Sequence, residues 1–108
     1  MTHPLDPYTY ILVDRKPVNC PNDDRWFMWF GNMENRRVAQ TIIGPARVST
    51  IFGGIDRSYG SAPHPQVFET MIFGGKHDGR EEWSASWEEA ELVHAEMVAL
   101  VRGQLADV

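Results

Sequence analysis

Two apolar runs, residues 48–52 and 67–73, dominate the middle of the chain. Both are rich in Val, Ile, Phe and Thr, side chains that suit a pleated, half-buried surface. In the second run Phe68, Thr70 and Ile72 point one way and Glu69, Met71 and Phe73 the other. Both sides are mostly apolar, which predicts a central strand covered on both faces. Each run closes on the same tetrapeptide, Ile-Phe-Gly-Gly, at 51–54 and 72–75. The paired glycines predict a bulge, a sharp exit or a close backbone approach.

The same pattern, followed from the N-terminus, gives the other elements. Residues 1–7, with Pro4 and Pro7, read as an irregular arm. Over 8–13, Tyr8, Tyr10 and Leu12 alternate with Thr9, Ile11 and Val13, a first strand. The polar 14–17 turns the chain, and 18–20 pairs briefly before Pro21 stops it. Residues 22–33 are ambiguous, because the run 26–30 has the composition of a buried strand. A helix is preferred here. Asn22 serves as its N-cap, and Asp23 and Asp24 fall in the first turn, where the helix dipole favours negative charge. Trp26, Trp29, Phe30 and Met33 then share one face, with Phe27 beside them. Gly31 counts against this, at about 1 kcal/mol in a helix interior. Residues 37–43 and 47–52 form a hairpin across Gly44-Pro45, and 54–66 is a loop rich in Gly, Ser and Pro. A turn at 76–79 containing Asp78-Gly79 leads to a short strand over 80–85, with Trp83 and Ala85 on one face.

The clearest helix follows. Ser86 is its N-cap and Glu89 stands three residues on, as in a capping box. Glu88, Glu89 and Glu91 load its first turns, and Arg102 and Gly103 mark its end. Ala90, Val93, His94, Met97, Leu100 and Val101 form its apolar stripe; His94 reads as a satisfied core or boundary histidine, or less simply as a ligand. Residues 104–108 read as a frayed tail. Together these elements predict a single α+β domain over 1–108. Its antiparallel sheet has four to six strands, with the C-terminal helix and a second, aromatic-rich helix packed on it.

Composition narrows the function classes. At 108 residues and 43% hydrophobic content the chain can bury a core of its own. A net charge of −5 argues against a general grip on nucleic acid, which needs clustered Lys and Arg. Cys20 is the single cysteine, so neither an intrachain disulfide nor a Cys-rich zinc site is available. The N-terminus lacks the basic and long apolar regions of a signal peptide. No apolar run approaches the ~20 residues needed to span a bilayer, so no membrane role is expected and a cytoplasmic location is. Four tryptophans in so small a chain predict apolar surface left for a homodimer to cover.

Candidate chemistry gathers in the centre. Glu69, flanked by Met71 and Phe73, is expensive to bury unless paired or hydrogen-bonded. It is either an Arg-paired or solvated edge residue, or an acid, base or ligand-binding carboxylate with a raised pKa. The loop carries Asp56, Arg57, Tyr59 and His64, the best candidates for a binding surface, because a loop of about a dozen residues in a compact domain is often functional. The plainer alternative is a surface excursion between adjacent strands, with Asp56 and Arg57 as a solvated pair. None of the four histidines has a metal-binding spacing, and no phosphate-cradling or Gly-x-Ser-x-Gly motif is present, so neither metal nor cofactor is expected.

Three segments carry a family likeness: VSTIFGGIDRSYG, FETMIFGG, and SWEEAELVHAEMV. They resemble a small protein family that recurs in bacteriophage and prophage genomes, whose usual pattern is VSTVFLGLDH, FETMVFGG and STWEEAEAGHA. The likeness covers about residues 8–102. The chain departs from the pattern at Gly53, where Leu is common, and at Arg57, where His is common. The second departure weakens any catalytic or metal-binding role for the position after Asp56. The resemblance implies a phage or prophage origin and carries over no catalytic residue. With composition, it leads to an accessory protein that binds a host protein or a small ligand in the host cytoplasm. The alternatives are a small hydrolase or lyase-like enzyme using Glu69 as base with the 54–66 loop, and a virion or assembly component.

Overall fold

The computed structural model describes residues 6–21 and 23–103. The expected Asn22 cap, residues 1–5 of the arm and the 104–108 tail lie outside the described residues. A 3-10 turn at Asp6–Tyr8 leads into β1, Tyr10–Val13, which pairs antiparallel with β2, Lys16–Asn19. The strand expected from residue 8 thus starts two residues later. Asp14 and Arg15 form the tight turn between them with φ of 50° and 64°. Two positive φ values in a two-residue connection give the twist that antiparallel strands need.

Helix α1, Asp23–Phe30, resolves the ambiguity of the aromatic run in favour of a helix. It stops at Phe30, three residues short of the expected end. Gly31 donates to the Phe27 carbonyl, and Asn32 then caps a separate 3-10 turn at Met33–Asn35. Met33 therefore does not share the helix face with Trp26, Trp29 and Phe30. It is exposed, as are Phe27 and Met28. Trp26 is buried with Ile11 and Cys20, and its indole N–H donates to the Tyr10 carbonyl at 3.0 Å. That bond ties α1 to β1.

The main sheet is an antiparallel meander of β3 (Arg37–Ile43), β4 (Ala46–Phe52), β5 (Phe68–Phe73) and β6 (Glu81–Ser84), in that spatial order. Helix α2, Trp87–Val101, crosses all four strands. Ser86 caps it as its sequence predicts, accepting from the Glu89 amide at 3.1 Å. Register places Val48 opposite Ile72, Thr50 opposite Thr70 and Phe52 opposite Phe68. All six are completely buried beneath α2 and the β1–β2 hairpin. Met97 and Leu100 pack on Val48 and Ile72, while Ala90 packs with Phe52, Val67 and Phe68. Tyr10, Leu12 and Trp29 extend that second cluster, so the hairpin and α1 continue the layer that α2 begins.

Backbone spacing explains the repeated glycine pairs. Gly54 has φ +80°, and a Cβ there would meet the Phe30 ring at 2.9 Å. Gly74 has φ +84°, and a Cβ there would run into the Pro45 carbonyl. Each pair lets the chain leave the sheet against a close neighbour, one at each end of the β4–β5 ladder.

The centre of the α2 interface is polar. His94 is buried, and each ring nitrogen meets a threonine hydroxyl: Nδ1 lies 2.7 Å from Thr50 Oγ1, Nε2 2.9 Å from Thr41 Oγ1. Thr50 Oγ1 also lies 2.8 Å from Thr70 Oγ1. The network joins α2 to three strands and satisfies the ring fully. It bears out the expectation of a core histidine.

The expectation that β5 is covered on both faces is corrected by the structure. β5 is central in the sheet, but α2 covers one face only. Among the described residues no helix or strand lies on the other face, where Ile42 is 70% and Phe73 39% exposed. Helix α1 joins α2 on the same side, with Trp29 against Phe52, and so leaves the other face open.

Burial lowers the His94 pKa. The unfolded chain then takes up this proton before the folded one, so stability is complete above the usual value of about 6.5 and falls as pH drops below it. Urea unfolding at stepped pH measures this slope. His94→Gln should cost about 1–3 kcal/mol at neutral pH, because partners in the network are left unmatched, and should flatten the slope just below pH ~6.5.

Candidate functional site: the open sheet face

Asp56, the first of the candidate loop residues, is buried at 3% exposure and organises the loop from within. Its Oδ1 accepts from the Ser58 amide at 2.9 Å, the Ser58 hydroxyl at 2.7 Å and the Gln66 amide at 2.9 Å. Its Oδ2 accepts from the Gly60 amide at 3.0 Å. Its own amide donates to the Tyr8 carbonyl, which fixes the loop to the N-terminal segment. One carboxylate therefore closes both ends of an excursion whose ends, Asp56 and Gln66, are ten positions apart. Burial alone raises the Asp56 pKa, but the bonds from Gln66, Ser58 and Gly60 outweigh it and hold the carboxyl below the usual carboxylate range. With its oxygens filled, Asp56 positions the loop and does not face a ligand.

The other loop residues point to different places. Tyr59, at φ 48°, stacks edge-on against Tyr8 at 5.4 Å between ring centres. His64 is exposed and lines a cleft of about 410 Å³ with Pro17, Pro65, Ala85, Ser86 and Glu89, at the start of α2. Arg57 lies over the Trp83 ring at 4.8 Å. Of the four, Arg57 is the one whose charge acts on Glu69. A second cleft of about 410 Å³ lies at the far end of the sheet, between Pro45, Gly74, His77 and Leu100.

Glu69 stands on the open face of β5. Register sets Trp83 beside it on β6 and Ile51 beside it on β4, with Met71 next along its own strand. It is half-buried, and no hydrogen bond or ion pair reaches its carboxylate among the described residues. Burial raises its pKa first, and the Glu81 carboxylate adds to this; Arg57 and Arg36 pull against them and do not prevail. Arg36 is itself committed elsewhere. It stacks over Phe30 at 3.7 Å, and its Nε donates to the Phe52 carbonyl at 3.1 Å. Glu69 is thus a carboxylate within the field of two guanidinium groups and bonded to neither.

Around it the open face is ordered by strand register. Ile42, Arg47 and Phe73 lie at one end, and Arg47 rests on the Phe73 ring at 4.4 Å. Gln40, Ser49, Met71 and Glu81 cross the middle; Arg37, Ile51, Glu69 and Trp83 cross at the loop end. The sequence pattern already put Glu69, Met71 and Phe73 on one side of β5. It did not identify Glu81, Trp83, Arg36 or Arg47, because cross-strand neighbours depend on register that the alternation of one strand does not specify.

Among the described residues no group of three His, Cys, Asp or Glu side chains is placed to hold a metal ion. No helix among them is long and apolar enough to cross a membrane. No protein-family model, curated protein or solved structure matches the chain.

Asp56→Ala should lower stability by about 3 kcal/mol, since it leaves four donors without their acceptor. Hydrogen exchange should quicken at the Ser58, Gly60 and Gln66 amides. Because the folded pKa of Asp56 is depressed, its contribution holds above the usual value of about 3.9 and disappears as pH falls through the folded value. Unchanged exchange at these amides would refute the hub.

Glu69→Gln should act in the opposite sense. Its raised folded pKa means that the charged carboxylate weakens the isolated chain as pH rises through the usual value of about 4.3 and beyond. Removing that charge relieves repulsion from Glu81 and should stabilise the chain at neutral pH by about 0.2–1 kcal/mol. Urea unfolding of dilute protein measures it, and a loss of stability would mean that Glu69 has a partner within its own chain.

Proposed function

We propose that this chain works as a binding protein and that the open sheet face is its working surface. The observation that carries the proposal is Glu69, a half-buried carboxylate without a bonding partner on an uncovered face, set beside Ile51, Met71 and Trp83. Water still reaches its oxygens, but burial raises its pKa, and a donor brought by a partner would offset that desolvation. A partner that supplies a donor and covers Ile42, Ile51, Met71, Phe73 and Trp83 resolves both defects together.

The shape favours a protein over a small ligand. The face is broad and formed by four adjacent strands, whereas small-molecule sites are concave and enclose most of their ligand. The hydrolase or lyase-like alternative has less support. Glu69 has no hydrogen bond to His, Tyr or Asp among the described residues; Tyr59 packs on Tyr8, His64 lines another surface, and Asp56 is internally bonded. The likeness to phage and prophage sequences supplies the setting: an accessory protein acting on a protein in the host cytoplasm.

A photo-crosslinking residue in place of Met71 tests this in expressing cells, with the same residue at exposed Leu92 on α2 as control. The expected result is a protein adduct of defined mass from position 71 that position 92 does not give. Equal or absent capture at the two positions would remove the sheet face as the working surface.

A further inference from the structure

We infer that a second copy of the chain covers the open face, packed sheet against sheet, with a twofold axis lying along the strands between β4 and β5. This rests on the open face being a binding surface and names the partner that fits it. The argument comes from how charge is divided across the sheet. Arg37 and Arg47 lie on the β3–β4 half, and Arg36 borders it. Glu69 and Glu81 lie on the β5–β6 half. Arg57 is a cation on the acidic half, leaning on Trp83 beside Glu69. Arg37 also donates to Glu34 at 2.7 Å, at an exposed position outside the face.

A self-complementary contact has two simple ways to lay this face on itself. A twofold running across the strands sets β3 on β3 and β6 on β6, so the basic halves face each other, with Arg37 of one copy diagonal to Arg47 of the other, and Glu81 meets its own copy. A twofold running along the strands sets β3–β4 of one copy over β5–β6 of the other. Each basic half then covers an acidic half, and the contact is made twice by symmetry. Strand directions stay nearly aligned across the interface, the usual arrangement for stacked sheets. In this arrangement Glu69 lies over Ile51 of the other copy with Arg37 one strand away, and Ser49 faces Met71 across the axis.

Size sets the strength. Four strands about 4.8 Å apart and about six residues long present on the order of 400 Å² in projection. Projecting side chains raise the buried area toward about 600 Å² per subunit, the low end for specific interfaces. An interface of that size fits a reversible dimer. The charges choose its orientation more than they strengthen it.

Two charge variants test the inference. Arg37→Glu with Arg47→Glu makes the face acidic apart from Arg57 and the bordering Arg36; Glu69→Lys with Glu81→Lys makes it uniformly basic. Sedimentation velocity of the wild type across the micromolar range should show a concentration-dependent dimer. Each variant alone should remain monomeric, with circular dichroism and thermal unfolding confirming its fold. An equal mixture of the two should restore a dimer, shown as a heterodimer by native mass spectrometry. Substituting Phe27 and Met28, the exposed apolar residues of α1, with serine should leave the wild-type dimer unchanged. A monomeric wild type overturns the inference, as does a dimer that survives in both charge variants or is lost with Phe27 and Met28. If the wild type is monomeric but position 71 still captures a different protein, the second copy is excluded and the binding surface stands. If position 71 captures nothing, the binding surface fails as well.

Discussion

Alternation with a period of two obliges each strand to present two faces, and the fifteen-residue α2 can cover one side of a sheet. The rest of the architecture depends on that limit. On the covered side, Val48, Thr50, Phe52, Phe68, Thr70 and Ile72 are completely buried, and the β1–β2 hairpin with α1 continues the layer past the start of the helix. On the other side, residues of the same strands remain in solvent. The hydrophobic effect draws no distinction between the two faces of β5. The supply of covering elements makes them different.

Much of this was legible in the amino-acid order. Ser86 and Glu89 marked the start of α2, and the stripe from Ala90 to Leu100 is the face that packs. The strands of the meander were recognisable from Val, Ile, Phe and Thr between turn signals. The aromatic segment was harder. Trp26 to Phe30 satisfies both a strand and a helix by composition, and the helix ends where Gly31 and Asn32 take over. The layer count was misjudged for a physical reason. An apolar side chain shows that a position benefits from cover but not whether the same chain provides it.

The candidate site was legible only in part. Glu69 stood out because a carboxylate between Met71 and Phe73 breaks the pattern. The roles of the loop residues were not separable by type. Asp56 and His64 are both ionisable and neighbours in one loop, yet one is a buried acceptor of four hydrogen bonds and the other lies at the surface. The signal that existed was Asp56 two residues before Ser58, a spacing at which a side-chain oxygen caps its own turn. Arg47, Glu81 and Trp83 enter the site through register, which follows from turns and partner strands rather than from any one run, and Arg36 enters from the end of the 3-10 turn through its contacts with Phe30 and Phe52.

The composition of the open face can be set against the two simpler outcomes. A face meant to stay wet would carry Thr, Lys and Glu in mixed order, and Ile42, Met71 and Phe73 would have no reason to be there. A face meant to be buried permanently would have no use for Glu69, whose desolvation cost continues for as long as no donor arrives. The observed mixture has apolar residues in each row, with Arg37 and Arg47 on one half and Glu69 and Glu81 on the other, where Arg57 leans on Trp83. Such a mixture is what the proposed contact requires: apolar area to cover, and charges that favour one orientation over another. That combination fits a contact made and broken, and it explains why the chain retains a carboxylate that weakens it in isolation.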